Sequence, residues 1–141
     1  MTARECVDHL AELNEQIDKK LKLVSFMRSS LTSISAPPTD AEYVSHTKNV
    51  HAMQDTVAAI VDAEKEVDAM IDERVELRQR LVRAIAKLDD AVEAYYVSKK
   101  YIECVSCREI AETENYSTRR VEQIVKAGMD HLDLIFQKDF A

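Results

Sequence analysis

"CREIAETENYSTRRVEQI", Cys107 to Ile124, is the stretch on which the fold turns. Ser106 stands just before it with Glu109 three residues on, the S-x-x-E arrangement that opens a helix. Ala111 is small, as suits a position where two helices cross closely. Asn115 follows four residues later, and after glycine asparagine best tolerates the left-handed conformation of a tight turn. Ser117 is then placed to cap a second helix, with Tyr116, Val121 and Ile124 as the apolar contacts that seat it on the first. Taken in this register the elements predict a helix-turn-helix. One feature runs against ordinary helix chemistry. Arg119 and Arg120 fall in the first turn of the second helix, where the positive end of the dipole disfavours cations by roughly 0.3–1 kcal/mol each. Their presence points to an anionic partner.

Upstream of this stretch, from about Asp89, "DDAVEAYYVSKKYIE" reads as a further short helical piece with Val92, Tyr95, Tyr96 and Ile102 as its apolar positions. Further upstream the text is helical on both sides of one break, "SSLTSISAPPTD", Ser29 to Asp40. Its two prolines cannot continue a helix, because proline lacks an N–H and clashes with the preceding turn. Before the break Cys6, Leu10, Leu13, Ile17, Leu21, Val24, Met27 and Leu31 form a stripe at spacings of three and four. After it Val50, Met53, Val57, Ile60, Val67, Ile71, Leu81, Ile85, Leu88 and Val92 do the same, interrupted by Glu64, Arg74 and Arg78. "EYVSHTKN" is polar and β-branched, so the connection is expected over residues 33–47, with Ser45 or Thr47 as the next cap.

The expected fold is all-α. Residues 1–88 form a long antiparallel, coiled-coil-like helical hairpin, and 89–141 a small helix-turn-helix module. Helix 1 should have about 28 residues and helix 2 some 40, roughly to Leu88. Arms aligned at the loop would leave Leu81, Ile85 and Leu88 bare, to be covered by a second chain or by the C-terminal module. A hairpin of this size is thin on core by itself, which favours a homodimer through the N-terminal helices.

Composition agrees. Of 141 residues 32% are charged and 6% aromatic, with one Gly, two Pro and no Trp, the make-up of long helices rather than sheets. No apolar run approaches the roughly 18–20 residues that span a bilayer, and "MTARECVDHLAEL" lacks a signal-peptide core, so no membrane association and a cytoplasmic location are expected. Three cysteines, Cys6, Cys104 and Cys107, fit a reducing compartment. Cys104 and Cys107 make a C-x-x-C. A zinc site needs four ligands, and the other candidates, His131 and Cys6, lie far off in sequence. A thioredoxin-like site would need a strand before it. Neither metal nor cofactor is expected. His9, His46, His51 and His131 are scattered, and Gly128 is the only glycine, so there is no phosphate loop and no catalytic constellation; the chain does not read as an enzyme. The net charge of −7 argues against indiscriminate nucleic-acid binding, but its distribution is uneven. Residues 1–93 carry 12 Lys and Arg against 18 Asp and Glu, and residues 94–141 carry 7 against 8.

Residues 98–132 resemble region four of bacterial sigma factors and small phage regulators built on the same unit. The whole chain is similar to a family of small, largely uncharacterised phage and prophage proteins of Gram-positive bacteria. The similarity lies in an "LTSIxAP"-type segment at Leu31 to Pro37, a long charged helix over Val57 to Leu81, and an "EIAExxxYSxRxVxxIxxxAL"-like motif over Glu109 to Met129. Two positions depart from the family pattern. A tryptophan near the start of the middle helix is Cys107 here, and an Ala-Leu pair late in the last helix is Ala127-Gly128-Met129, which should weaken that helix.

The resemblance implies a phage-type, DNA-binding transcriptional regulator with double-stranded DNA as partner and a contact to host RNA polymerase. In a helix-turn-helix the second helix enters the major groove by its N-terminal end. On this register Ser117, Thr118, Arg119, Glu122 and Gln123 face the bases, and phosphates or guanine edges neutralise Arg119 and Arg120. Arginine reads guanine, glutamine adenine, and glutamate can accept from cytosine. Lys99, Lys100, Arg108 and Lys126 are candidates for phosphate contacts. So few cations per module favour a dimer on two half-sites. Two other readings compete. One is a protein-interaction module, an adaptor or inhibitor with an acidic coiled-coil surface, and the other a small terminase-like DNA-packaging subunit, which would form a ring; Glu112, Glu114 and Glu122 also lie close enough to suit a plain solvated helix face.

Overall fold

The computed structural model describes residues 1–34 and 43–139, with side chains over 1–32 and 50–139. The fold is all-α, and no strand occurs among the described residues. Helix α1 spans Ala3–Ile34, α2 Tyr43–Ala86, α3 Ala91–Val97, α4 Cys107–Glu114 and α5 Thr118–Asp139; a π-helical turn, Ser98–Ile102, continues α3. Most of the expected connection, with its two prolines, lies outside the described residues, as do the side chains of Ser45, His46 and Thr47. Helix α2 begins at Tyr43, earlier than the expected start near Thr47, so the polar run "YVSHTKN" is helical and neither Ser45 nor Thr47 is an N-cap. Weak local helix propensity is here overridden by continuation into a 44-residue helix.

Helix α1 starts from a capping box that sequence inspection overlooked. Thr2 Oγ1 accepts from the Glu5 N–H at 3.1 Å, and Glu5 Oε2 accepts from the Thr2 N–H at 3.0 Å. Two of the four unpaired donors of the helix start are thereby satisfied.

The chain divides into two compact units. One comprises residues 13–73; the other comprises 1–12 and 74–141. In the first, α1 and α2 run antiparallel, with Lys20 paired to Glu66 and Arg28 to Glu64 across the hairpin. Its core holds Leu13, Ile17, Val24, Ile60, Ala63 and Val67, with Met27 and Leu31 packed against Val24, Ile60 and Ala63. The Glu64 interruption is thus met by a cross-helix partner, although so exposed a pair contributes at most about 1 kcal/mol. Leu21 and Val57 are about half-exposed rather than buried. A stripe at spacings of three and four drifts around a 3.6-residue helix, so not every member of the pattern keeps facing the neighbour.

In the second unit the start of α1 lies against the end of α2, where the Cys6 thiol donates to the Leu77 carbonyl oxygen at 3.8 Å. Leu81 and Ile85 are buried here, so the end of α2 has the cover that its apolar stripe calls for without a second chain. The cover comes from the chain itself. Arg4 bridges α1 to Asp130 and Asp133 of α5, the Ala3 N–H donates to Asp133 Oδ1 at 2.8 Å, and Lys87 reaches Asp139 at 2.5 Å. The observation that motivated a homodimer through Leu81 and Ile85 is therefore removed. Phe136, Leu81, Met129 and Leu132 are the largest fully buried side chains, each contributing roughly 1.5–3 kcal/mol by removal from water.

Candidate nucleic-acid interface

Four local devices build the C-terminal module. Asp90 Oδ1 accepts from the Val92 N–H at 2.8 Å and starts α3. Ser106 Oγ accepts from the Glu109 N–H at 3.2 Å and starts α4, although no return bond from Glu109 to Ser106 occurs among the described residues. Asn115 then ends α4 in the left-handed region, at φ 59° and ψ 34°. Its N–H points at the Ala111 carbonyl, and the Tyr116 N–H donates to the same oxygen at 3.1 Å. This is the Schellman-type stop, in which a residue with positive φ turns the last carbonyls onto the following amides. Ser117 restarts the chain as a helix: its Oγ accepts from the Arg120 N–H at 3.1 Å and its carbonyl from the Val121 N–H at 3.2 Å.

Packing orients the recognition element. Val121, Val125, Met129, Leu132 and Phe136 are buried along one face of α5, and Ile110 and Ala111 are buried on α4. Tyr116 is half-exposed rather than a core contact, but its ring meets Tyr96 edge-on, with centroids 6.3 Å apart. Tyr95 lies against Tyr96, and its hydroxyl donates to Glu114 Oε1 at 3.2 Å. On α3 the buried side chains are Glu93, Tyr96 and Val97, whereas Val92 and Tyr95, expected on the apolar face, are half-exposed.

The glycine of α5 does not end the helix, which is 22 residues long and continues to Asp139. Gly128 sits where α5 crosses α3: a Cβ there would meet Val97 Cγ2 at 2.7 Å. Only a residue without a side chain allows that approach. Three residues later His131 Nδ1 lies 2.7 Å from Oε2 of the buried Glu93. The hydrogen bond and charge of Glu93 raise the His131 pKa, so the ring tends to carry the proton that neutralises a carboxylate taken out of water. No sequence spacing announces a pair 38 residues apart.

The candidate contact residues fall into four groups. Arg119, Glu122, Gln123 and Lys126 are exposed at spacings of three and four, which puts them on one face of α5 away from Val121 and Val125. Ser117 and Thr118 are also exposed, with Ser117 Oγ already engaged as a cap. Arg120 is exposed but turned from that face towards Tyr96, whose pKa, raised chiefly by burial, feels its charge. Arg119, Arg120 and Lys126 make no ion pair among the described residues. The remaining cations are engaged. Lys99 pairs with Glu103 at 3.1 Å and lies over the Tyr95 ring, Arg108 lies 3.6 Å from Glu112, and Lys100 lies over the Tyr101 ring. A phosphate would have to displace Glu103 from Lys99 and Glu112 from Arg108.

The C-x-x-C pair is split: Cys107 is buried as the first residue of α4, while Cys104 is exposed with φ at 58°. Among the described residues no group of three or more His, Cys, Asp or Glu is placed to hold a metal, and no helix is long and apolar enough to cross a membrane. Comparison with protein-family models, curated proteins and solved structures finds no match for this chain.

Proposed function

We propose that this chain is a DNA-binding transcriptional regulator of phage type, which inserts the N-terminal end of α5 into the major groove of double-stranded DNA. The observation that carries the reading is the exposed set Arg119, Gln123 and Lys126, in no ion pair among the described residues, on one face of a helix capped by Ser117. Two arginines at the positive end of a helix, with no carboxylate answering them among the described residues, suit an anionic ligand better than a solvated surface. Arg119 and Gln123 supply the fork and amide that read guanine and adenine edges, while Lys126 and Arg120 contact phosphates. The likeness of residues 98–132 to sigma region four favours the same use and adds host RNA polymerase as a second partner, all in the cytoplasm. With so few free cations, two copies on two half-sites bind more tightly than one.

Selection from a random DNA library followed by fluorescence anisotropy tests this. A defined motif should emerge, and Arg119→Ala should cost about 1–3 kcal/mol on it while relaxing preference at one base pair. Lys126→Ala should weaken all sequences alike and reduce the salt slope by about one. If no sequence is enriched and neither substitution changes residual binding, the chain is a protein-interaction module instead.

A further inference from the structure

The last turns of α2, residues 74–86, lie wholly in the unit of residues 1–12 and 74–141 and carry a second line of side chains. Val75, Gln79, Val82 and Ala86 follow at spacings of four, three and four, away from the buried Leu77, Leu81, Ala84 and Ile85. Val75 and Val82 are each 47% exposed. Single exposed valines are ordinary, but at about 100° per residue these four positions fall within about 60° of one another and form one strip. Arg78 and Arg83 stand about 70° to either side of it. Both are exposed and make no ion pair among the described residues. Neither has a carboxylate three or four positions away along the helix, where a partner would be in reach. The helix dipole accounts for Arg83 in the last turn, but not for Arg78 two turns back. On the Arg83 side the strip borders a cleft of about 830 Å³ that also reaches Asp139 of α5. The two carboxylates of that cleft are taken, Glu76 by Arg80 at 3.3 Å and Asp139 by Lys87 at 2.5 Å.

We infer that this strip docks an acidic amphipathic helix of a partner protein. The partner's apolar side chains rest on Val75 and Val82, and carboxylates on both its flanks answer Arg78 and Arg83. An apolar seam with one sign of charge along each edge selects the opposite sign in its partner, as in paired helices. The same charges disfavour a second copy of this strip. An antiparallel register that sets Val75 on Val82 brings Arg83 level with Arg74, and one that sets Val75 on Ala86 brings Arg78 level with Arg83. A parallel pair sets each arginine beside its own copy. Nucleic acid would satisfy the arginines but leave the valines uncovered. The Lys87–Asp139 contact also places the strip at the far end of α5, roughly 30 Å of helix from Arg119. The inference rests on residues 74–86 and does not depend on DNA binding.

Fluorescence anisotropy of the full chain with a labelled synthetic helix tests it. The probe is a peptide of about three heptads, with leucine at its core positions and glutamate along both flanks, which also disfavours pairing of the peptide with itself. A contact only a few turns long belongs to the small, transient class, so a dissociation constant in the micromolar range is expected. The double variant Arg78→Glu/Arg83→Glu should weaken binding at least about tenfold and should instead take the same peptide with lysine flanks, which the unaltered chain rejects. Val82→Asp should also lose the glutamate peptide. Circular dichroism should show unchanged helicity in each variant, because all three side chains are exposed. No binding of the glutamate peptide, equal binding of both peptides, or a double variant that keeps its affinity overturns the proposal. Displacement of the peptide by random-sequence duplex DNA would make the strip a nucleic-acid surface, and a change of sedimentation mass in the double variant would make it an interface between copies of this chain; either result overturns it equally.

Discussion

Substituting Gly128 tests the closest helix approach in the C-terminal module. On propensity alone, Gly128→Ala should stabilise α5 by about 1 kcal/mol, since alanine loses less backbone entropy on folding. The new Cβ would, however, lie 2.7 Å from Val97 Cγ2, well inside contact distance. Val97 is fully buried and stiff at χ1, so it cannot swing away; either the helices part or the side chain leaves its rotamer. Such overpacking costs about 1–3 kcal/mol, which exceeds the propensity gain and predicts a net loss of about 1 kcal/mol. The sign should reverse once the obstacle is removed. Val97→Ala alone should cost about 2–3 kcal/mol by leaving a cavity, but in that background Gly128→Ala should gain about 1 kcal/mol. The coupling between the two sites is then about 2 kcal/mol, as expected for residues in contact. Urea unfolding followed by circular dichroism at constant m-value measures all four proteins. If Gly128→Ala stabilises both backgrounds equally, α5 does not cross α3 at this distance and the reasoning fails.

Three further outcomes follow from the same unit. The His131 pKa is raised in the folded chain, so its contribution to stability is present in full below the ordinary imidazole value of about 6.5 and fades as pH rises through the folded value. His131→Gln should flatten that part of the stability profile, and Glu93→Gln should bring the NMR titration midpoint of His131 down; a midpoint no higher than that of free imidazole contradicts the pairing. Asn115→Val should lose about 1–2 kcal/mol from forcing a β-branched residue into the left-handed turn, whereas Asn115→Gly should be tolerated; equal melting temperatures would show that the turn does not depend on this conformation. Thr2→Ala should lower stability by about 1 kcal/mol through the α1 cap, with no change if the helix start frays in solution.

Much of the architecture was legible because it depends on neighbours in the chain. Ser106, Asn115 and Ser117 act on amides one to five residues away, so their residue types alone predict where α4 starts, where it stops and where α5 restarts. The Thr2–Glu5 box was legible on the same grounds and went unread. The stripe from Cys6 to Ile17 likewise predicts a buried face, since one helix period decides which side chains point together. What periodicity cannot supply is the identity of the surface opposite. Periodicity left open whether a second chain or the C-terminal module covers Leu81 and Ile85; they are buried within the chain itself, in the unit where Arg4 ties the start of α1 to Asp130 and Asp133 of α5. Val57 belongs to the same apolar text as Ile60 but faces outward, and Glu93 is buried although its chemistry suits solvent. In the candidate site the sequence put Arg119 and Arg120 in one helical turn about 100° apart, but only the fold brings Arg120 near enough to Tyr96 for its charge to act on that hydroxyl. Burial and orientation depend on which helices meet and how closely, and a contact such as Gly128 on Val97 exists only once two distant segments share the same space.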